Sequence, residues 1–258
     1  MISIVSPAKT LDYESILPIV DYSLSEHLTD SKALMKDLKL LEAEDLSSLM
    51  GLSTKLAALN FERNMNWSAD KKIGEDSRQA IYAFKGDVYT GLDPHSLNNQ
   101  QIKFLDSHLR ILSGLYGILR PLDLIEPHRL EMGTKLKNSK GKDLYEFWGK
   151  KITSSLNQIL EAHENKAVLN LASVEYFSSI KLPELKAPVF SPVFKDYKNG
   201  KYKIISFFTK KARGMMARYI ALKGIDRPED ISDFNLEGYK YSKKESSQFS
   251  PVFLRKLS

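Results

Sequence analysis

An apolar run at residues 109–123 (LRILSGLYGILRPLD) is interrupted by Gly114, Gly117 and Pro121, which restrict the backbone at this point. Proline stops a helix, and glycine adopts positive φ without steric penalty. Upstream, apolar residues recur every three or four positions, which predicts a helix over 97–113. The run therefore predicts a helix, a tight glycine hairpin and then the start of a new element. This order is that of a helix-hairpin-helix-like element.

Glycines in such a hairpin leave backbone N–H groups open to an anion, because no Cβ covers them. This predicts phosphate contacts at Gly114, Tyr116 and Gly117, with Arg120 beside them. A second interpretation stays open. In that interpretation Gly114 only terminates the preceding helix, and Tyr116 is a buried anchor.

Composition narrows the class of protein. The 258 residues, 42% of them hydrophobic, suffice for a large core, and the absence of cysteine excludes disulfides and thiolate metal sites. Five histidines show no metal-binding spacing, so we expect neither metal nor cofactor unless the fold assembles a site from scattered residues. Without a membrane-spanning run or a signal peptide, the sequence predicts a cytoplasmic protein with no membrane partner.

Positive charge is concentrated near the end of the chain. Residues 1–178 carry 21 Lys and Arg against 24 Asp and Glu, whereas residues 179–258 carry 17 against 8. Within 195–218 there are eight basic residues and one acid. This asymmetry is typical of a protein with a polyanionic partner, although a solvated basic surface gives the same pattern.

The order of elements predicts a mixed α/β fold, with a central β-sheet in one intertwined domain over 1–258. Strands are expected at 2–5 and 167–171. Helical periodicity dominates the stretch of about 31–165, which is expected to form an α-rich lobe. No linker, repeat or low-complexity segment divides the chain.

A basic portion follows at about 188–222. Two β-rich runs over 188–208 meet at Asn199-Gly200, the pair favoured in type I′ hairpins. A basic helix then begins near residue 209 and presents cations to phosphates in the manner of many DNA-binding helices. Its candidate DNA contacts are Lys210, Lys211, Arg213 and Arg218.

Four other segments gather residues suited to chemistry. The loop after the first strand carries a lysine and a hydroxyl, at a position where α/β proteins often contact ligands. That lysine either binds phosphate or acts as a Schiff-base nucleophile, and a nearby acid serves as a base or pairs with a lysine. Surface lysines and structural ion pairs remain alternatives. The candidates are Lys9, Thr10, Lys85, Asp87, Tyr89, Arg129, Glu131, Asn170 and Glu175.

Seven motifs occur in order along nearly the whole chain: 6–13 (SPAKTLDY), 84–92 (FKGDVYTGL), 112–123 (LSGLYGILRPLD), 129–133 (RLEMG), 141–145 (GKDLY), 170–177 (NLASVEYF) and 205–218 (ISFFTKKARGMMAR). Together they resemble the YaaA family of peroxide-stress-resistance proteins. The resemblance implies a cytosolic bacterial protein that limits oxidative DNA damage and is linked to low intracellular free iron. It also implies DNA binding, a mixed α/β fold, a positively charged cleft and a helix-hairpin-helix element. The chain departs from the common Gly-hydrophobic-Gly hairpin, since two residues separate Gly114 and Gly117.

Charge, hairpin and resemblance together predict a monomeric DNA-binding protein of the hydrogen peroxide response, without a dedicated protein partner. Its partner would be double-stranded or damaged DNA, recognised by shape or damage. The alternative is an enzyme acting on a nucleic-acid base or nucleotide, resembling a repair glycosylase or lyase. It would use Lys9 as nucleophile and Asp87 or Glu175 as acid or base. Direct iron binding is a third hypothesis, but the sequence shows few clustered ligands for it.

Overall fold

The computed structural model describes residues 1–70, 72–74 and 76–256. Its strands are β1 Ile2–Val5, β2 Thr10–Leu11, β3 Arg78–Gln79, β4 Phe84–Lys85, β5 Leu109–Ser113, β6 Gly117–Leu119, β7 Leu124–Ile125, β8 Val168–Leu171, β9 Val189–Phe190, β10 Val193–Lys198, β11 Lys201–Lys203, β12 Lys240–Tyr241 and β13 Val252–Arg255. Its α-helices are α1 Leu28–Leu38, α2 Ala43–Met50, α3 Thr54–Asn66, α4 Ala80–Ala83, α5 Asp87–Leu92, α6 Asn99–His108, α7 Leu144–Trp148, α8 Lys151–Glu161, α9 Val174–Phe177 and α10 Ser206–Lys223. Short 3₁₀ segments lie at Pro94–Ser96, Leu182–Glu184, Pro228–Asp233 and Leu236–Gly238. The mixed α/β fold is confirmed.

A five-stranded central sheet in the order β6-β5-β1-β8-β9 forms the core. β1 pairs in parallel with β5 on one side and with β8 on the other, and Ser3 lies opposite both Leu109 and Leu169. All four residues of β1 are buried, as expected for an apolar strand covered on both faces. The strands predicted at 2–5 and 167–171 are therefore confirmed within a residue.

β10 and β11 of the basic portion belong to a second sheet, in the order β11-β10-β13-β12. β10 and β11 are antiparallel, and both turn residues have positive φ, 55° at Asn199 and 79° at Gly200. This is the predicted type I′ hairpin. α10 follows directly, begins at Ser206 and packs against α5.

The helix predicted over 97–113 is wrong in its second half. α6 ends at His108, and Leu109–Ser113 is β5, the neighbour of β1 in the central sheet. All five residues of β5 are buried, and a fully buried apolar strand has the same composition as a buried helix. The α-rich stretch at 31–165 therefore also contributes β5 and β6 to the central sheet.

The glycine run is a β-hairpin between β5 and β6, and strands rather than helices flank it. Tyr116 is 1% exposed, and its hydroxyl accepts a hydrogen bond from Nε1 of Trp67. Nε1 of Trp148 donates to the Gly114 carbonyl, and the Trp148 ring packs where a Cβ on Gly117 would lie. The phosphate contacts predicted at Gly114, Tyr116 and Gly117 are therefore wrong, because these residues are buried in the core.

Two short helices lie near the motifs. The segment after Lys85 forms α5. Asp143 accepts an N-cap hydrogen bond from the Glu146 backbone N–H at the start of α7, which stops before Gly149, where φ is 49°. No helix within the described ranges is both long and apolar enough to cross a bilayer.

His128 is expected to make stability depend on pH. It is buried, its Nδ1 donates to the Glu126 carbonyl at 2.8 Å, and burial lowers its pKa to about 4. The unfolded chain, in which the His128 pKa is about 6.5, therefore binds its proton first as pH falls. The stabilisation from neutral His128 is complete above pH 6.5 and is lost as the pH falls towards 4.

Between pH 7 and pH 5 this effect is worth about 2 kcal/mol of unfolding free energy. Urea denaturation of the unmodified protein and of His128→Gln at both pH values measures it. The loss on acidification should be about 2 kcal/mol smaller in His128→Gln. An identical loss in both proteins would show that His128 does not titrate in this way.

Candidate functional site

A cleft of about 430 Å³ opens at the carboxyl ends of β1 and β8. Ser6 follows β1 and Ser173 follows β8, and the Ser173 backbone N–H donates to Oγ of Ser6 at 2.9 Å. The next strand of this sheet after β1 along the chain is β5, which lies on one side of β1. The next strand of the sheet after β8 is β9, which lies on the opposite side. Ligands of open α/β sheets bind where connections diverge in this way.

The cleft brings together candidates from five separate segments. Its lining contains cations from the loop after β1, from β4 and from α10, opposed by three carboxylates. The titratable lining residues are Lys9, Lys85, Lys210, Arg213, Asp87, Glu131 and Glu175, and Thr10 also lines it. The segments that carry these candidates therefore meet in one cleft, which the sequence alone could not show.

Lys9 lies at the mouth of the cleft within a chain of ion pairs. Its Nζ is 2.8 Å from Oε2 of Glu131, and Nη2 of Arg129 donates to Oε1 of the same carboxylate at 3.1 Å. Lys9 is 63% exposed. Glu131 therefore holds the lysine in place while leaving its amino group open to solvent.

Lys85 is held at another edge of the cleft by Asp12, with 3.4 Å between Nζ and Oδ2. Asp12 also accepts hydrogen bonds from the backbone N–H groups of Ser15 and Glu14 and from the Ser15 hydroxyl. These bonds, led by the one from the Ser15 backbone, hold the pKa of Asp12 well below its usual range. Asp12 therefore stays ionised beside Lys85.

Glu175 faces the opposite wall, where its Oε1 accepts a hydrogen bond from the Gly133 backbone N–H at 2.9 Å. A Cβ on Gly133 would lie 3.1 Å from that oxygen, so glycine permits the close approach. Glu175 also lies in the first turn of the short helix α9, which Ser173 caps. Its carboxylate is thus fixed at the cleft by backbone contacts.

α10 supplies Lys210 and Arg213 because it packs closely on α5. A Cβ on Gly214 would overlap the Val88 carbonyl oxygen, and one on Gly91 would overlap the Lys211 carbonyl oxygen. The two glycines therefore allow the helix backbones to meet. This contact brings Arg213 and the α5 residue Asp87 into the lining of the same cleft.

Arg213 carries a partly buried charge without an ion pair to any described residue. Its Nε is buried and has no hydrogen-bond partner among them, and burial lowers its pKa. A guanidinium nevertheless remains protonated in proteins. A buried, unpaired cation is costly, so the cleft presents a charge that an anionic ligand would neutralise.

The model of the family described as peroxide stress protein YaaA matches residues 1–245. The chain belongs to the YaaA family of peroxide stress proteins. A UPF0246 protein of Polynucleobacter necessarius is 51% identical over 255 residues, covering 99% of this chain and 98% of the relative. UPF0246 proteins of Aliivibrio fischeri and Shewanella amazonensis are 51% and 49% identical, also over 99% of this chain and over 98% and 99% of the relatives.

Three predicted DNA contacts of this YaaA family member lie outside the cleft lining. Lys211 pairs with Glu237, with 2.5 Å between Nζ and Oε1. Nη1 of Arg218 donates to the Leu92 and Asp93 carbonyls at the end of α5. Arg120 lines a separate cavity of about 260 Å³. Lys211 and Arg218 therefore help to hold α10 in position.

Two cleft candidates have supporting roles. The hydroxyl of Tyr89 is buried and donates to the Ser6 carbonyl at 3.3 Å, and burial raises its pKa. Asn170 lies in β8, where its Oδ1 accepts from the Ala172 backbone N–H and its Nδ2 donates to Oγ of Ser191. Neither lines the cleft, and both stabilise the loops after β1 and β8.

Sequence analysis missed Ser6, Ser173 and Asp12 as parts of the site. Ser6 and Ser173 each follow a predicted parallel strand, which was an available signal. The sequence also gave no reason to single out Phe207, which is 57% exposed in the first turn of α10. Phe207 lies three residues before Lys210 and so shares its helix face. An exposed aromatic ring therefore lies on the same face of α10 as the cleft residue Lys210 in this YaaA family member.

Proposed function

We propose that this YaaA family protein binds DNA during peroxide stress, with backbone phosphates held in the cleft by Arg213 and Lys210. The observation that carries the proposal is the unpaired guanidinium of Arg213. Guanidinium matches the geometry of a phosphate group and is less strongly hydrated than an ammonium. Lys210, which is exposed on the same helix, adds a second charge to the same wall.

The size of the cleft favours a nucleotide over a whole duplex. About 430 Å³ is within the range of pockets that hold one small molecule. An unpaired or extruded nucleotide fits this space, and an exposed aromatic ring such as Phe207 can stack on a base. We therefore propose a preference for gapped or damaged DNA.

In this proposal the protein limits damage by covering exposed nucleotides while peroxide is present. Metal binding in the cleft does not account for the lowered free iron that the family resemblance implies. No group of cleft residues within the described ranges has the clustered geometry of a metal site. The cations of the cleft are instead suited to phosphate.

The test is fluorescence anisotropy with a labelled intact duplex and the same duplex carrying a one-nucleotide gap, across a salt series. Four cleft cations would neutralise about four phosphates, which gives a log–log slope near −3.5. We expect the gapped duplex to bind about tenfold more tightly, because its nucleotide needs little unstacking. Absence of binding to either duplex at low salt would refute DNA binding, and equal affinities would refute the preference for gaps.

The arrangement of Lys9, Asp87 and Glu175 in one cleft favours a second candidate, lyase chemistry on abasic DNA. The Lys9 amine would attack the C1′ aldehyde of an abasic sugar and form an imine with loss of water, while a carboxylate accepts the proton. Borohydride would reduce that imine to a stable amine and trap the complex. If the protein is a lyase, a trapped product should form with the unmodified protein and with Lys223→Ala but not with Lys9→Ala. If the unmodified protein gives no trapped product, the lyase candidate is refuted and DNA binding remains.

A further inference from the structure

Two histidines and an aspartate meet at the end of the central sheet opposite to the cleft. His108 ends α6, His163 precedes β8, and Asp226 follows α10. One ligand atom from each lies within 4.8 Å of the other two. Nε2 of His108 is 3.7 Å from Oδ1 of Asp226, and Nδ1 of His163 is 3.9 Å from the same oxygen. The fold thus assembles the scattered ligands that the sequence could not show together.

Neighbouring groups orient the three side chains. Nδ1 of His108 lies 3.0 Å from the Phe104 carbonyl and donates to it, which leaves the Nε2 lone pair facing Asp226. The His108 ring also stacks on the Phe104 ring at 4.0 Å. Nδ2 of Asn165 donates to Oδ2 of Asp226 at 3.0 Å, so Oδ1 is directed to the histidines. Metal-binding histidines and carboxylates are commonly held by such outer hydrogen bonds.

A metal ligand must offer a nitrogen lone pair, and Nε2 of His108 offers one because its Nδ1 donates to the Phe104 carbonyl. The side chains are only partly buried, so an ion can reach them from solvent.

We infer that His108, His163 and Asp226 form a binding site for a divalent transition metal. Two imidazole nitrogens and one carboxylate oxygen suit Zn²⁺, Fe²⁺ or Co²⁺, whereas Mg²⁺ and Ca²⁺ prefer oxygen ligands alone. Ligand atoms about 2.1 Å from a tetrahedral metal ion lie about 3.4 Å from one another. The side chains would therefore close by about an ångström when the metal binds.

Two positive groups oppose a metal here. The Met1 amino group donates to Oδ1 of Asp226 and lies 3.4 Å from Nδ1 of His163, and the Arg110 guanidinium is near enough to influence both histidines. The competing explanation is that Asp226 and His163 only anchor this amino group. An anchor requires one carboxylate and no second histidine, whereas a metal site requires both imidazoles.

Titration of the metal-free full-length protein with Co²⁺, followed by its visible absorption, tests the inference. Calorimetry with Zn²⁺ and with Mg²⁺ gives an independent measure. We expect one Co²⁺ per chain, displacement by Zn²⁺ and no response to Mg²⁺. His108→Gln and His163→Gln should each weaken binding at least tenfold. His95→Gln changes an exposed histidine outside the cluster and should bind Co²⁺ unchanged.

Circular dichroism should show that all three variants fold, and their affinity for DNA should be unchanged because the cleft lies at the other end of the sheet. Failure of DNA binding would therefore leave this inference untouched. Absence of Co²⁺ and Zn²⁺ binding, or equal binding by His163→Gln and His95→Gln, would overturn the metal site and leave the amino-group anchor.

Discussion

Replacing Gly214 with alanine is expected to lower the free energy of unfolding by about 3 kcal/mol. At an ordinary helix position the same change stabilises by about 1 kcal/mol, because alanine is the better helix former. Here the new Cβ would overlap the Val88 carbonyl oxygen of α5. Since a carbonyl of the backbone cannot rotate away, α10 must move away from α5 and leave a poorly packed contact.

Urea denaturation measures this loss, with Gly224→Ala as the matched control. Gly224 ends the same helix with φ of 62° and has open space around its Cβ position. Its replacement should cost only about 1 kcal/mol, from backbone strain alone. Gly214→Ala should also weaken DNA binding, because the displaced helix carries Arg213. A Gly214→Ala protein as stable as the unmodified one would show that the helices are not in close contact.

The parts of the fold that could be predicted follow from local patterns. The continuous apolar run Ile2–Val5 predicted a buried strand, and Asn199-Gly200 predicted a hairpin, because each signal lies within a few residues. Lys9 and Glu175 were proposed from their position after strands. They meet in the cleft because the carboxyl ends of neighbouring parallel strands lie side by side.

The predictions that failed depended on contacts with residues that are distant in sequence. The spacing of Gly114 and Gly117 is the same whether the glycines expose N–H groups or make room for a neighbouring side chain. In the structure they make room for the side chain of Trp148, which is distant in sequence. Lys211 and Arg218 have the same helical setting in the sequence as Lys210. Their partners come from other segments, so charge alone could not separate anchoring residues from ligand-binding ones.

The spacing of the histidines could not show that His108 and His163 lie close together, for the same reason. His108 and His163 lie on different elements, and their meeting point exists only after β1, β5 and β8 form one sheet. Sequence motifs report metal sites built within one segment. The expectation of no metal therefore rested on local spacing alone.

The most direct measurement is the affinity of the double variant Lys210→Gln/Arg213→Gln for the gapped duplex, compared with that of Lys223→Gln. Lys223 is an exposed lysine at the end of the same helix, so its variant removes charge without touching the cleft. Loss of two charge-assisted phosphate contacts should weaken binding by about a hundredfold and make the salt slope about 1.8 less steep. Lys223→Gln should change affinity less than about twofold. Equal affinities for the double variant and Lys223→Gln would contradict DNA binding in the cleft.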